Sequence, residues 1–287
     1  GIFPGVQASW VVSNEPWFAK VRGIDYLRLN VGYDVSGNDD IDYFAARSYF
    51  SAVKFLDAIS GISFENIGNT RLQWETTKRF NVGFETNLIN NRLNLRFNYF
   101  NSKTDHLLTY QALGFLTGIE KNWGNGGSLK NEGFDVTAVG KLVAMKSFQW
   151  ELGLSVGHYK NKITSLADDA TYFDSSVYGA TIRTEVGKPA NMFYGYVTDG
   201  VFSTSEEAAA AALYVLGDNG VDKNYFGAGD MRFVDLNGDH KIDEHDRTFI
   251  GDPNPDIYGN IFTALAYKRF RLDVNFNYSL GNDVYNY

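Results

Sequence analysis

Cysteine is absent from the 287 residues, which excludes disulfides, thiolate metal sites and cysteine nucleophiles together. The fold must be held by burial and backbone pairing. Proline occurs only 5 times, and no apolar run approaches the roughly 20 residues that a membrane-spanning helix requires. A helical membrane protein is therefore excluded. A β-barrel is not, because its strands alternate apolar and polar residues and average to modest hydropathy, here a mean of -0.27. Basic residues are also in short supply. Against 34 Asp and Glu stand 26 Lys and Arg, a net charge of -8, and without a basic cluster along the sequence a nucleic acid has nothing to bind.

Catalytic constellations are missing as well. The four histidines, His106, His158, His240 and His245, are scattered, with neither a Gly-x-Ser-x-Gly elbow nor a His-Glu-x-x-His helix. The expectation is a non-enzyme. Gly124 to Gly127 is glycine-rich but lacks the strand-then-helix setting of a phosphate loop, so turn chemistry is the better reading.

What the chain has is aromatics and glycine: 22 Phe, 18 Tyr, 5 Trp and 29 Gly. That mixture favours many aromatic-rich strands joined by turns. Period-two alternation supports it, since a strand with one apolar face places apolar residues at every second position. Phe270, Leu272, Val274, Phe276, Tyr278 and Leu280 alternate with Arg271, Asp273, Asn275, Asn277 and Ser279. Leu27 to Val35 and Leu93 to Tyr99 show the same rhythm. Eight strands are expected, at 3–12, 25–35, 71–89, 92–108, 129–143, 148–163, 257–267 and 270–280.

Connection lengths carry an architectural argument. Asn90-Asn91, Ala144 to Ser147 and Lys268-Arg269 read as tight hairpins, whereas 36–70, 109–128 and 164–256 are long. Short turns thus fall at one end and long loops at the other, as in outer-membrane barrels. The segment 13–24 is longer than that rule prefers. A soluble β-sandwich or barrel also alternates, but its strands average roughly 5–6 residues, fewer than the expected strands run. Ser203-x-x-Glu206 and Thr204-x-x-Glu207 are both capping-box patterns, and with the run Ala208 to Leu213 they predict one short surface helix. If the barrel reading holds, Arg96, Arg271, Asp273, Asn275 and Asn277 face a wet lumen or a plug, and Tyr99, Trp150 and Tyr267 belong to an interfacial girdle.

Several stretches resemble the SusC/RagA family of TonB-dependent transporters. From Gly229 to Pro255 the sequence is GDMRFVDLNGDHKIDEHDRTFIGDPNP, similar to the family's GD, D-x-NGD, D-x-x-D and G-x-PNP run. Upstream, Asn66-Ile-Gly-Asn69 with Leu72-Gln-Trp74-Glu75-Thr76 resembles its N-P-x-L-x-WE-x-T stretch, and Asn81-Val-Gly83 and Asn91-Arg92 follow. Lys103-Thr-Asp105-His-Leu107-Leu108 is similar to K-T-x-D-L-L, Asn131-Glu-Gly133-Phe-Asp135 to N-x-G-V/F-E/D, and Gly281-Asn282 to the family's GN. The resemblance runs in family order from about residue 25 to 287.

It implies an all-β fold, part of a large antiparallel transmembrane barrel of about 22 strands, with residues 1–287 as barrel wall and the plug and the first and last strands lying elsewhere. A start at Gly1 without initiator Met or leader fits a partial or processed chain. The location implied is the outer membrane of a Gram-negative bacterium. The partners implied are a SusD-like surface lipoprotein, the TonB complex acting through the plug, outer-membrane lipid, and a glycan or peptide substrate, with energy-coupled import as the function. The competing class is a non-transporting surface binding or adhesion β-protein.

One loop carries a metal expectation of its own. Taking Asp235 as position 1 of a twelve-residue calcium loop places Asn237 at 3, Asp239 at 5, the Lys241 carbonyl at 7, Asp243 at 9 and Asp246 at 12. This is a calcium-like oxygen spacing and makes Ca2+ the candidate cofactor. His240 stands where the tight turn prefers Gly, and Asp246 is shorter than the usual bidentate Glu. His240 and His245 keep a transition metal open. The other reading, which is favoured, is an Asx-rich turn in which the same side chains accept bonds from nearby backbone N–H groups.

Overall fold

The computed structural model describes residues 2–41, 44–55, 59–112 and 121–286. The chain forms two compact units. The first comprises Gly1–Tyr172, Glu185–Lys188 and Pro255–Gly281, and the second Phe173–Thr184, Pro189–Asn254 and Asn282–Tyr287.

In chain order the first unit contains β1 (Gly5–Val11), β2 (Ile24–Asn38), β3 (Tyr49–Phe55), β4 (Ile59–Asn66), β5 (Glu75–Leu88), β6 (Leu93–Asp105), β7 (Leu108–Ala112), β8 (Lys121–Asn125), β9 (Ser128–Ala144) and β10 (Phe148–Ser165). Its last two strands, which return after the second unit, are numbered β19 (Ile257–Tyr267) and β20 (Phe270–Leu280). Eight of these twelve strands build one antiparallel sheet in the order β1-β2-β5-β6-β9-β10-β19-β20. These are the eight strands that alternation predicted. Several exceed the length of ordinary globular strands: β9 has 17 residues and β10 has 18, enough to cross a bilayer at the usual strand tilt.

Boundaries differ where turn chemistry overrides pattern. β5 starts at Glu75, so Leu72 and Trp74 precede the strand although they share its parity. The β5–β6 turn takes in residues 89–92 and is wider than Asn90-Asn91 alone, with Ile89, Asn90 and Asn91 at φ 56, 55 and 57. Asparagine tolerates that left-handed region better than most residues. Lys268-Arg269 does form the two-residue β19–β20 turn, with Lys268 at φ 54. Between β1 and β2, Val12–Asn14 and Phe18–Lys20 coil into two 3-10 turns that bury Val12 and Phe18.

The long segments are not plain loops. Within 36–70, β3 and β4 pair as a hairpin, and within 109–128, β8 pairs back on β7. Residues 42, 43 and 56–58 of the first segment and 113–120 of the second lie outside the described residues. Gly126 and Gly127 close the second segment for a steric reason. A Cβ on Gly126 would stand 2.1 Å from the Ala167 Cβ, and Gly127 sits at φ +87.

The second unit fills most of 164–256 with structure that hydrophobic periodicity did not reveal. But for the end residues Tyr172 and Glu185, which belong to the first unit, it holds β11 (Tyr172–Val177), β12 (Ala180–Glu185), β13 (Met192–Tyr196), β14 (Thr198–Val201), α1 (Ser205–Ala211), β15 (Tyr214–Leu216), β16 (Lys223–Tyr225), β17 (Met231–Phe233) and β18 (Arg247–Gly251). These strands have six residues or fewer, too short for alternation to register. They pair as one sheet, β11-β12-β13-β18, and as two separate pairs, β14-β17 and β15-β16.

Of the two capping patterns, the one at Thr204 is used: its Oγ1 accepts from Glu207 N at 3.2 Å, while Glu207 Oε2 accepts from Ser203 N at 2.9 Å. The helix is more than surface decoration. Ala208 packs with Phe202, Leu213 and Ile242 in a buried cluster that Tyr196, Phe226 and Phe233 flank.

Candidate functional site

Strand register assigns every residue of the eight-stranded sheet to one of two chemically opposite faces. One face carries the row Trp10–Leu29–Phe84–Phe97–Val136–Val156–Gly259–Tyr278, paired strand by strand across the whole sheet. Phe97 stacks between Phe84 and Phe134, with ring centroids 5.7 and 6.4 Å apart. Among the described residues no second layer covers these side chains. Val31 is 43% exposed, Val82 40%, Leu272 56% and Phe276 63%. Soluble monomers rarely expose a contiguous apolar surface beyond ~600 Å², and larger ones mark protein or membrane contact. Tyr99, Trp150 and Tyr267 lie on this same face by register.

The opposite face carries Ser9–Asn30–Gly83–Asn98–Asp135–Gly157–Tyr258–Ser279. Its side chains bind one another. Glu85 takes Arg28 at 2.6 Å and Arg96 at 3.1 Å, Arg271 pairs with Asp273 at 2.8 Å, and Asn260 donates to Asn275 at 3.2 Å. Tyr258 Oη donates to Asp135 at 2.9 Å across Gly157, where a Cβ would meet the Tyr258 ring at 2.4 Å. Glycine here makes room for an aromatic lying over the neighbouring strand. Arg96, Arg271, Asp273, Asn275 and Asn277 all sit on this face. A concave trough on it is lined by Gln7, Ser9, Arg28, Asn30, Asn81 and Asn98. Such a surface can hold water and polar solute.

In the acidic loop of the second unit every proposed side-chain oxygen donor has a local role. Asp235 accepts from Gly238 N and His240 N, both at 2.7 Å, Asn237 from Asp239 N at 3.0 Å, and Asp239 from Lys241 N at 2.8 Å. Asp243 caps the turn Glu244–Asp246, accepts from His245 N and holds the Lys241 ammonium. Asp246, 0% exposed, spends one carboxylate oxygen on Leu236 N and the other on Asp243 N, each at 2.9 Å. Lys241 and the His245 bonds hold the Asp243 carboxyl well below its usual range. Burial pushes Asp235 up, but backbone donors from His240 and Gly238 outweigh it and the net shift is downward. These bonds account for the loop as an Asx-rich turn. The calcium spacing stays as a proposal for titration.

A second cluster in this unit was not legible in the sequence. Arg183 grips Asp174 through Nε and Nη2, both at 2.8 Å, and lays its guanidinium 3.5 Å from the centre of the Tyr194 ring. That bidentate bond holds the Asp174 carboxyl below its ordinary value. Arg247 approaches the same ring at 5.1 Å and donates to Thr181 at 2.6 Å. No spacing pattern joins residues 174, 183, 194 and 247; only the β11-β12-β13-β18 pairing does.

Comparison with known proteins agrees with this geometry. Residues 19–286 match the family model described as TonB dependent receptor-like, beta-barrel. TonB-dependent receptor P3 of Formosa agariphila is 28% identical over 99% of this chain and 28% of its own length. TonB-dependent receptor SusC of Bacteroides thetaiotaomicron is 26% identical over 99% of this chain and again 28% of its own length. The chain therefore spans just under a third of these relatives. Among solved structures, the RagAB peptide transporter superposes with a TM-score of 0.77 at 22% identity, covering 97% of this chain and 29% of that one, a likeness of fold. Both relatives are named as TonB-dependent receptors. With one sheet face fit for lipid, the other for water and a family match over almost its whole length, this chain belongs to the TonB-dependent receptor-like β-barrel family of the Gram-negative outer membrane.

Proposed function

We propose that the complete protein imports an oligosaccharide or peptide across the outer membrane, driven by the TonB complex through a plug, with residues 1–287 supplying barrel wall and surface segments. A SusD-like lipoprotein is the proposed surface partner. The observation that carries this reading is the two-faced sheet: long antiparallel strands, apolar and exposed on one side, ionic and hydrogen-bonded on the other, with all long connections leaving the same strand ends. A soluble adhesion domain would cover the apolar face with a second layer. Resemblance in the motifs from Asn66 to Asn282 supports the SusC/RagA type, and likeness to a protein described as a peptide transporter makes short peptides the first substrate to try.

Uptake of labelled peptides and oligosaccharides by cells making the complete protein tests it. Accumulation that needs both the receptor and an intact TonB complex supports import. Equal surface binding with no accumulation, whether or not TonB is present, would establish the adhesion reading instead.

A further inference from the structure

Beyond its apolar band the lipid-facing side of the sheet changes character. Lys78 of β5 pairs in register with Lys103 of β6, Lys103 with Lys130 of β9, and Lys130 with Lys162 of β10. Four adjacent strands thus present a lysine at one level. Each belongs to the apolar face by parity, as Lys78 is two residues from Phe80, Lys103 four from Tyr99, and Lys130 four from Phe134. Lys160, two residues before Lys162, lies opposite Glu132 on the same side.

Like charges placed directly opposite in a sheet repel, so this row needs counter-charge. Within the face, among the described residues, only part is supplied: Asp105 takes Lys103 at 2.8 Å and Glu132 takes Lys130 at 2.7 Å. Five lysines against two carboxylates leave a local excess of about three positive charges at ordinary protonation, in a chain whose net charge is -8. Acidic composition elsewhere makes this concentration the more distinct.

Position points to the occupant. The row lies where β5, β6, β9 and β10 run into the long connections, at the strand ends opposite the hairpins. Along β6 the ten steps from Leu93 to Lys103 cover ~33 Å, which a strand tilt near 40° reduces to about 25 Å, the height of the apolar band of an outer-membrane barrel. Lysines at that level stand at the hydrocarbon boundary. Their alkyl stems can lie along the apolar face while the ammonium groups meet the headgroups.

We propose that the row Lys78, Lys103, Lys130 and Lys162, with Lys160, is a docking site for phosphate-bearing lipids of the leaflet facing the long connections. The phosphate meets the ammonium groups, and the acyl chains lie on Phe80, Tyr99, Phe134 and Val156 beneath them. A free phosphate ion would use only the first half of this surface. The proposal rests on the lipid-facing reading of the apolar side, and its test separates the two.

The complete receptor, purified in detergent, is titrated with phosphatidic acid or with phosphatidylcholine of the same acyl chains, and retained lipid is counted by native mass spectrometry. The expected result is a preference for phosphatidic acid of roughly tenfold or more, weakened by salt and not competed by equimolar inorganic phosphate. K78Q/K103Q/K130Q/K162Q should bring the preference near unity, and the four Lys→Arg changes should keep it. Equal retention of both lipids by the unaltered receptor overturns the proposal, as does an undiminished preference in the glutamine variant, whose folding is checked by the heat-dependent gel shift of barrels. Retention of neither lipid, with solubility in the absence of detergent, would instead contradict the membrane reading itself.

Discussion

At the scale of single residues, neighbours in sequence should respond in opposite ways to the same substitution. Val82 faces lipid between Val31 and Tyr99, while Asn81 faces the polar side between Gly32 and Phe100. An arginine near the middle of a lipid-facing strand costs about 2–4 kcal/mol, and a lumenal one far less. Val82→Arg should therefore lower unfolding stability in vesicles by about 2–4 kcal/mol, and Asn81→Arg by under about 1 kcal/mol. Denaturant titration of the two variants checks this. A soluble protein would tolerate both exposed positions within about 0.5 kcal/mol.

At the scale of elements, the acidic loop carries a pH dependence whose sign follows from its carboxylates. Asp243 and Asp235 have folded pKa values below the usual 3.8. Their contribution is complete above that value and is lost as pH falls through the lowered ones. Protection of the 235–246 amides relative to their intrinsic exchange should hold from about pH 7 to about 4 and fall below, and Asp243→Asn should flatten the change. The same measurement decides the metal question. Slower exchange on adding millimolar Ca2+ supports the calcium loop, and no change supports the Asx turn. This element also shows what sequence could supply. The oxygen spacing was legible, but the commitment of both Asp246 oxygens to Leu236 and Asp243 backbone was not, because local hydrogen bonding and ion binding use the same residues. Likewise β19 and β20 could be read to the residue from alternation, whereas β14, β15 and β17 are too short to show a period. The Arg183–Tyr194–Arg247 stack depends on pairing between strands distant in sequence, which no local pattern encodes.

At the scale of the molecule, the two faces of the eight-stranded sheet explain a composition rich in aromatics yet below zero in mean hydropathy. Half of each strand meets lipid and half meets water, so neither property dominates the average. Backbone groups pair strand to strand across the sheet, as an apolar medium demands, with β1 and β20 as its two edges among the described residues. Among the described residues few large apolar side chains are buried, namely Val12, Phe18, Ile163, Leu166 and the cluster around Phe202 and Ile242, and on the eight-stranded sheet the membrane takes the place of a core. Absence of native cysteine in this chain makes that claim directly measurable. Single cysteines at Leu95, Arg96, Phe97, Asn98 and Tyr99 of β6, carrying nitroxide labels in the complete receptor in vesicles, can be compared for exposure to oxygen and to a water-soluble nickel chelate. The account predicts alternation, with oxygen dominating at 95, 97 and 99 and the chelate at 96 and 98. Uniform exposure along the strand, or the opposite phase, would contradict it.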